Sequence, residues 1–118
     1  LGLTREEYEN AAPDELERRK KKAEERYMEA GADILKIFPA DLFGPKIIKD
    51  IKGPLPYAKM MPTGGVTADN AGEWIKAGAV ALGAGGSLTA GAKTGDYALI
   101  TETAKRFVKN IKAARAEI

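Results

Sequence analysis

Three short apolar runs set the frame for this chain: residues 34–38, 57–61 and 79–82. Each is bounded by Gly or Pro, and a stretch with helical spacing separates it from the next. Parallel strands joined by helical crossovers have this pattern, which makes the fold class α/β. Near-continuous apolar character fits strands of a parallel sheet covered on both faces. Three strands are therefore predicted. The chain has 118 residues, no linker and no convincing internal repeat, so 1–118 is read as a single domain.

Charge divides the chain into two parts. Residues 1–30 hold 16 of the 36 charges and one of the 13 glycines, and read as a charged helical segment. Thr4 and Glu7 have capping-box spacing and open a short helix over 5–10. Pro13 suits a first helical turn, with Asp14 and Glu15 near the positive end, so a helix is predicted over 13–30, ended by Gly31. Its apolar stripe is thin: Leu16, Ala23, Tyr27 and Ala30. Arg18, Arg19, Lys20, Lys21 and Lys22 are flanked by Glu15, Glu17, Glu24 and Glu25 and read as a solvated face. Further helices are predicted over 45–51, over 68–77 with Thr67 as cap and Gly78 as stop, and from Gly95 and Asp96 onward. In the last, Ile100, Ala104, Phe107, Val108 and Ile111 recur at spacings of three and four. Glu102 and Arg106 are spaced there for an ion pair.

The residue inventory restricts the chemistry. With no Cys and no His, thiolate nucleophiles, imidazole bases and metal sites built on either are excluded. No metal site is expected. A net charge of +2 is too balanced to argue for nucleic acid as a partner. No run of roughly 18 apolar residues offers a membrane span, and no leader pattern is seen, so a cytoplasmic location is expected.

Lys36 is the most informative residue. It interrupts an apolar strand, with Leu35 before it and Ile37 and Phe38 after. Burying an ammonium is costly and favours the neutral amine, which can attack a carbonyl and form an imine. The alternative is an edge-strand lysine pointing into water, and the pattern alone does not choose. Two Gly-rich loops follow the second and third runs: Pro62-Thr63-Gly64-Gly65-Val66 and Gly83-Ala84-Gly85-Gly86-Ser87-Leu88. Paired glycines let a backbone approach a ligand closely, and free N–H groups suit anions. At matching strand ends, beside Lys36, they are read together as a phosphate site on one rim of a parallel sheet, as in (βα)8 barrels. Trp74 reads as core, and Asp41 and Asp69 read as loop caps.

From about residue 27 to 114 the chain resembles the C-terminal half of the bacterial 2-keto-3-deoxy-6-phosphogluconate / 4-hydroxy-2-oxoglutarate aldolases. The matching motifs are Gly31-Ala32-Asp33-Ile34-Leu35-Lys36-Ile37-Phe38-Pro39-Ala40, Pro62-Thr63-Gly64-Gly65-Val66, the stretch from Ala77 to Leu88, and Gly95-Asp96-Tyr97. The resemblance implies part of a TIM (βα)8 barrel, here half-barrel-like, in a family that is usually trimeric and works through a Schiff base. It implies that Lys36 forms the imine, that Thr63 contacts the pyruvyl group, and that Gly64, Gly65, Gly85, Gly86 and Ser87 cradle a phosphate or distal carboxylate. It implies no cofactor, and as ligand a 2-oxo acid or phosphorylated sugar acid. A complete barrel needs roughly 200 residues or more. The family's general-base glutamate and a substrate-holding arginine lie in the absent half, and neither role falls on a residue of this chain.

Residues 1–32 are similar to the C-terminal part of phosphonoacetaldehyde hydrolases. The two resemblances together imply a chimera of two α/β fragments. Two readings follow. One is a class I aldolase or its catalytic half, cleaving its substrate to pyruvate and an aldehyde, with turnover impaired by roughly two to four orders of magnitude for want of the base. The other is a non-catalytic α/β scaffold retaining at most a phosphate site. Three strands leave two unpaired edges and exposed apolar surface, so a homo-oligomer is expected.

Overall fold

The computed structural model describes residues 3–118. Helix α1 is Arg5–Asn10, capped by the Thr4 hydroxyl, which accepts from the Glu7 N–H at 3.2 Å and donates to Glu7 Oε1 at 3.0 Å. Helix α2, Pro13–Glu29, begins at the expected proline and ends before Gly31, whose φ of 92° only glycine tolerates freely. Strand β1 is Leu35–Ile37, helix α3 Lys46–Lys52, and strand β2 Met60–Pro62. Helices α4 (Ala71–Ala77), α5 (Gly86–Thr89) and α6 (Tyr97–Ala116) follow. Short 3-10 turns occupy Ala40–Leu42 and Ala90–Thr94.

The fold is α/β with parallel strands, but two strands form where three were expected. β1 and β2 pair in parallel with Leu35 opposite Met60, Lys36 opposite Met61 and Ile37 opposite Pro62. The third run, 79–82, lies beside β2 without becoming a strand. Val80 N–H donates to the Met60 carbonyl at 3.0 Å and Gly83 N–H to the Pro62 carbonyl at 2.8 Å, and Thr63 and Gly83 form a single parallel bridge. A regular strand turns to the same neighbour at every second residue. Val80 and Gly83 are three apart, so an irregular step lies between them and the ladder breaks.

The core sits on one face of the sheet. Leu35, Ile37 and Met60 are buried there against Ile47, Ile48, Ile51 and Trp74. Trp74 is a core residue, as expected, though its Nε1 has no hydrogen-bond partner. α2 packs on β1, α3 on α4, and α4 on α6, while Glu17 of α2 reaches Asp50 of α3. The helices thus form a layer with α2 at one end and α6 at the other. The opposite sheet face, carrying Ile34, Lys36 and Phe38, is open.

Several local expectations are corrected. The inner stripe of α2 is Leu16, Lys20, Glu24 and Met28, not Leu16, Ala23, Tyr27 and Ala30, and Tyr27 is exposed. Lys20, taken for a solvated cation, is buried because β1 covers that side. α4 begins three residues later than predicted: Thr67 and Asn70 exchange bonds, Thr67 N–H to Asn70 Oδ1 and Asn70 N–H to Thr67 Oγ1, which closes a turn ahead of the helix. Gly78 ends it at φ 116°. In α6 the Asp96 cap is present, but of the apolar stripe only Phe107 is buried, and Val108 is exposed. Among the described residues nothing covers Val108. Arg106 pairs with Asp69 rather than Glu102, which pairs with Lys105. Asp69 is therefore an ion-pair residue, not a loop cap.

Candidate active site

β1, β2 and the 80–83 segment run in parallel, so their C-terminal ends share one rim. Lys36 lies at the middle of β1, Thr63 directly after β2, and Gly83 beside Thr63. The end of β1 is tied to the end of β2 by Thr63 N–H to the Ile37 carbonyl at 2.8 Å and Ala40 N–H to the Thr63 carbonyl at 2.9 Å. The backbone of Thr63 is thus fixed on both sides.

Lys36 is exposed, the edge-strand alternative of the two that the sequence left open. Its sheet face has no covering layer, so apolar neighbours in sequence do not become walls in space. Its nearest aromatic partner is Phe38, two residues on and on the same face, with Nζ 5.8 Å from the ring centroid. A cation over an aromatic face at this distance is held weakly, by about 0.5–1 kcal/mol at an exposed site. The Phe38 ring also borders the first Gly-rich loop: a Cβ added to Gly64 would lie 3.4 Å from it. Phe38 was not among the expected site residues. The alternation of side chains along a strand could have found it.

Gly64 and Gly65 take φ of 96° and 70°, so the loop after β2 turns through two left-handed residues. A Cβ on Gly65 would collide with the Asp41 side chain. The loop is pinned by Asn70 Nδ2 donating to the Gly65 carbonyl at 2.8 Å, another contribution absent from the expected set. The Thr63 hydroxyl is buried without a hydrogen-bond partner and turned toward Gly83, where a Cβ would overlap it. A rotation about χ1 is needed to present it outward.

In the second loop, Gly85 and Gly86 face open space and lead into α5. Ser87 is not free to serve both roles. Its Oγ donates to the Val66 carbonyl at 2.6 Å and so ties the two Gly-rich loops together. Its hydroxyl proton is occupied, and the donors left for an anion are the backbone N–H groups at the start of α5. Thr63, Gly64 and Gly65 follow β2, Gly85 and Gly86 follow the adjacent segment, Ser87 ties the two loops, and Lys36 stands solvated at the middle of β1. Among the described residues no group of three or more acidic side chains could hold a metal ion.

Comparison with known proteins agrees with these motifs. The KDPG and KHG aldolase family matches residues 21–103, starting inside α2, six residues ahead of the expected 27. A 2-dehydro-3-deoxy-6-phosphogalactonate aldolase of Escherichia coli (strain K12) is 37% identical over 92 residues, or 77% of this chain and 42% of that protein. A native KDPGal structure superposes with a TM-score of 0.67 at 38% identity, covering 75% of this chain and 43% of that one. A cube-shaped, porous protein cage designed by fusing symmetric oligomeric domains matches with the same TM-score at 39% identity, over 76% of this chain and 33% of that one. The chain spans less than half the length of these relatives. No described helix is long and apolar enough to cross a membrane. On its motifs, their order and this match, the chain belongs to the KDPG and KHG aldolase family.

Proposed function

We propose that this chain is the imine-forming portion of a class I aldolase and forms part of a (βα)8 barrel. Lys36 Nζ adds to the C2 ketone of a 2-keto-3-deoxy-6-phospho sugar acid or a 4-hydroxy-2-oxo acid, and water leaves. The C3–C4 bond then breaks, its electron pair flowing into the iminium to give an enamine. The C4 hydroxyl gives up its proton and C4 departs as an aldehyde. Protonation at C3 and hydrolysis release pyruvate and regenerate the amine. Thr63 orients the carboxylate, and the N–H groups of Gly64, Gly65, Gly85, Gly86 and Ser87 hold the phosphate or distal carboxylate. The proton acceptor is water or a group outside these 118 residues.

The observation that supports this reading is a hydroxyl and two Gly-rich turns at the ends of adjacent parallel segments, with an amine on the neighbouring strand β1. The exposure of Lys36 and the engaged Ser87 hydroxyl favour a second reading, a scaffold that binds phosphate and does no chemistry. Incubation with pyruvate and borohydride separates them. The expected result is a stable mass adduct on the wild type that is absent from Lys36→Ala. An adduct-free wild type from neutral to alkaline pH, or one that persists in Lys36→Ala, overturns the imine reading.

A further inference from the structure

A cavity of about 310 Å³ lies between α1, α2 and the turn that follows β1, and the site described above does not use it. Its lining carries two cations, Arg5 and Lys20, and no carboxylate. The acids that meet these cations, Glu9 and Glu24, stand outside the lining. Arg5 reaches Glu9 through Nε alone, which leaves its two terminal NH2 groups available. Lys20 is nine-tenths buried. Its Nζ lies 2.8 Å from Glu24 Oε1 but off hydrogen-bonding angle, and among the described residues no oxygen accepts a hydrogen bond from it. A buried ammonium with idle donors is costly until an acceptor fills them. The rest of the wall is apolar and largely aromatic, with Phe38, Pro39, Phe43 and the Tyr8 ring. Phe38 is 61% exposed. Arg5, Tyr8 and Lys20 all precede residue 21, where the family match begins, so the polar side of the cavity is this chain's own.

We propose that this cavity binds a small carboxylic acid with an aromatic body. The carboxylate accepts hydrogen bonds from Lys20 Nζ and from the terminal NH2 groups of Arg5, charge-assisted contacts that fill the idle donors. The ring lies against Phe38 and Phe43, where aromatic groups pack offset or edge to face. Size narrows the class, since about 310 Å³ is at the lower end of the roughly 300–1,000 Å³ of small-molecule sites. A bare anion such as inorganic phosphate would leave the aromatic wall wet, and a neutral ring would leave the ammonium unsatisfied. Neither Lys36 nor the Gly-rich loops line the cavity, so the inference stands apart from the imine chemistry.

Isothermal titration with phenylacetate tests it. Saturable one-to-one binding is expected, with phenylacetamide and inorganic phosphate each weaker by roughly tenfold or more. Arg5→Gln should weaken phenylacetate binding by roughly tenfold, and Lys20→Met combined with Glu24→Leu by at least as much. Circular dichroism checks that each variant folds, and Arg5→Gln, at an exposed position, carries the test if the double variant does not fold. Lys36→Ala should bind as the wild type does. The proposal is overturned if phenylacetate binding does not saturate, if the amide binds as tightly as the acid, or if inorganic phosphate displaces the acid at equal concentration. It is also overturned if Arg5→Gln binds like the wild type, or if binding is lost in Lys36→Ala, which would move the acid to the sheet rim.

Discussion

Helices α2 and α3 carry the same kind of ion pair at the same spacing, and the two pairs live in different worlds. Lys20 and Glu24 of α2 are turned toward β1, with Glu24 wholly buried and Nζ 2.8 Å from Oε1. The approach is off hydrogen-bonding angle, and neither carboxylate oxygen has a hydrogen-bond partner. Lys46 and Asp50 of α3 meet at the surface, with the lysine largely exposed. Sequence spacing is identical, so what differs is the element opposite. A strand packed on α2 removes water from Lys20 and Glu24, while α3 turns its pair away from the core. Lys36 extends the contrast, since it lies in an apolar strand yet stands in water because nothing covers its face.

The largest effect should come from splitting the buried pair. Lys20→Met leaves Glu24 buried and unpaired, and should cost about 3–5 kcal/mol in denaturant unfolding. Adding Glu24→Leu should recover most of that loss, since a well-packed apolar pair replaces a poorly bonded ionic one. A double variant no more stable than Lys20→Met would show that α2 is not held by this contact. Lys36→Met should move stability by no more than about 0.5 kcal/mol, as exposed substitutions do. A loss of several times that in the same assay would mean Lys36 is covered in solution.

The smallest effect belongs to the surface pair. The hydrogen bond from Lys46 holds the Asp50 carboxyl below its ordinary value of 3.8. A depressed carboxyl stabilises the fold above its unfolded value, and that contribution fades as pH falls through the lowered one. Asp50→Asn should therefore be slightly less stable than the wild type at neutral pH. The gap should close in thermal melts as pH drops below 3.8. The Lys46 ammonium, raised first by the hydrogen bond to Asp50, loses its share only as pH climbs above 10.5 toward the raised value. A gap unchanged across acid pH would mean the surface contact contributes nothing.

Local signals were legible in the sequence. Thr4, Pro13, Gly31, Gly78 and Asp96 mark helix ends through their own backbone needs, and each stands where it was expected. The family motifs were legible too, in loops such as Thr63-Gly64-Gly65 whose glycines answer a backbone need. Burial was less readable. Lys20 looked solvated because two of the four inward residues of α2 are charged, and only their opposite signs four residues apart hinted at a pair. Lys36 could not be settled, because flanking apolar residues say nothing about whether a facing wall exists. The 79–82 run has strand composition, but its ladder is decided by how Gly83 seats against Thr63. Around the two loops, the contacts of Phe38 and Asn70 were not expected, nor was the engagement of Ser87, which needs the two loops in three dimensions.

The uneven step between Val80 and Gly83 has a bearing on solubility. A flat ribbon rim invites endless stacking of chain upon chain, the route to amyloid-like growth. A kinked rim offers no continuous comb of donors and acceptors for an incoming strand to zip onto. Among the described residues, the outer side of β1 then remains as the regular edge open to another strand.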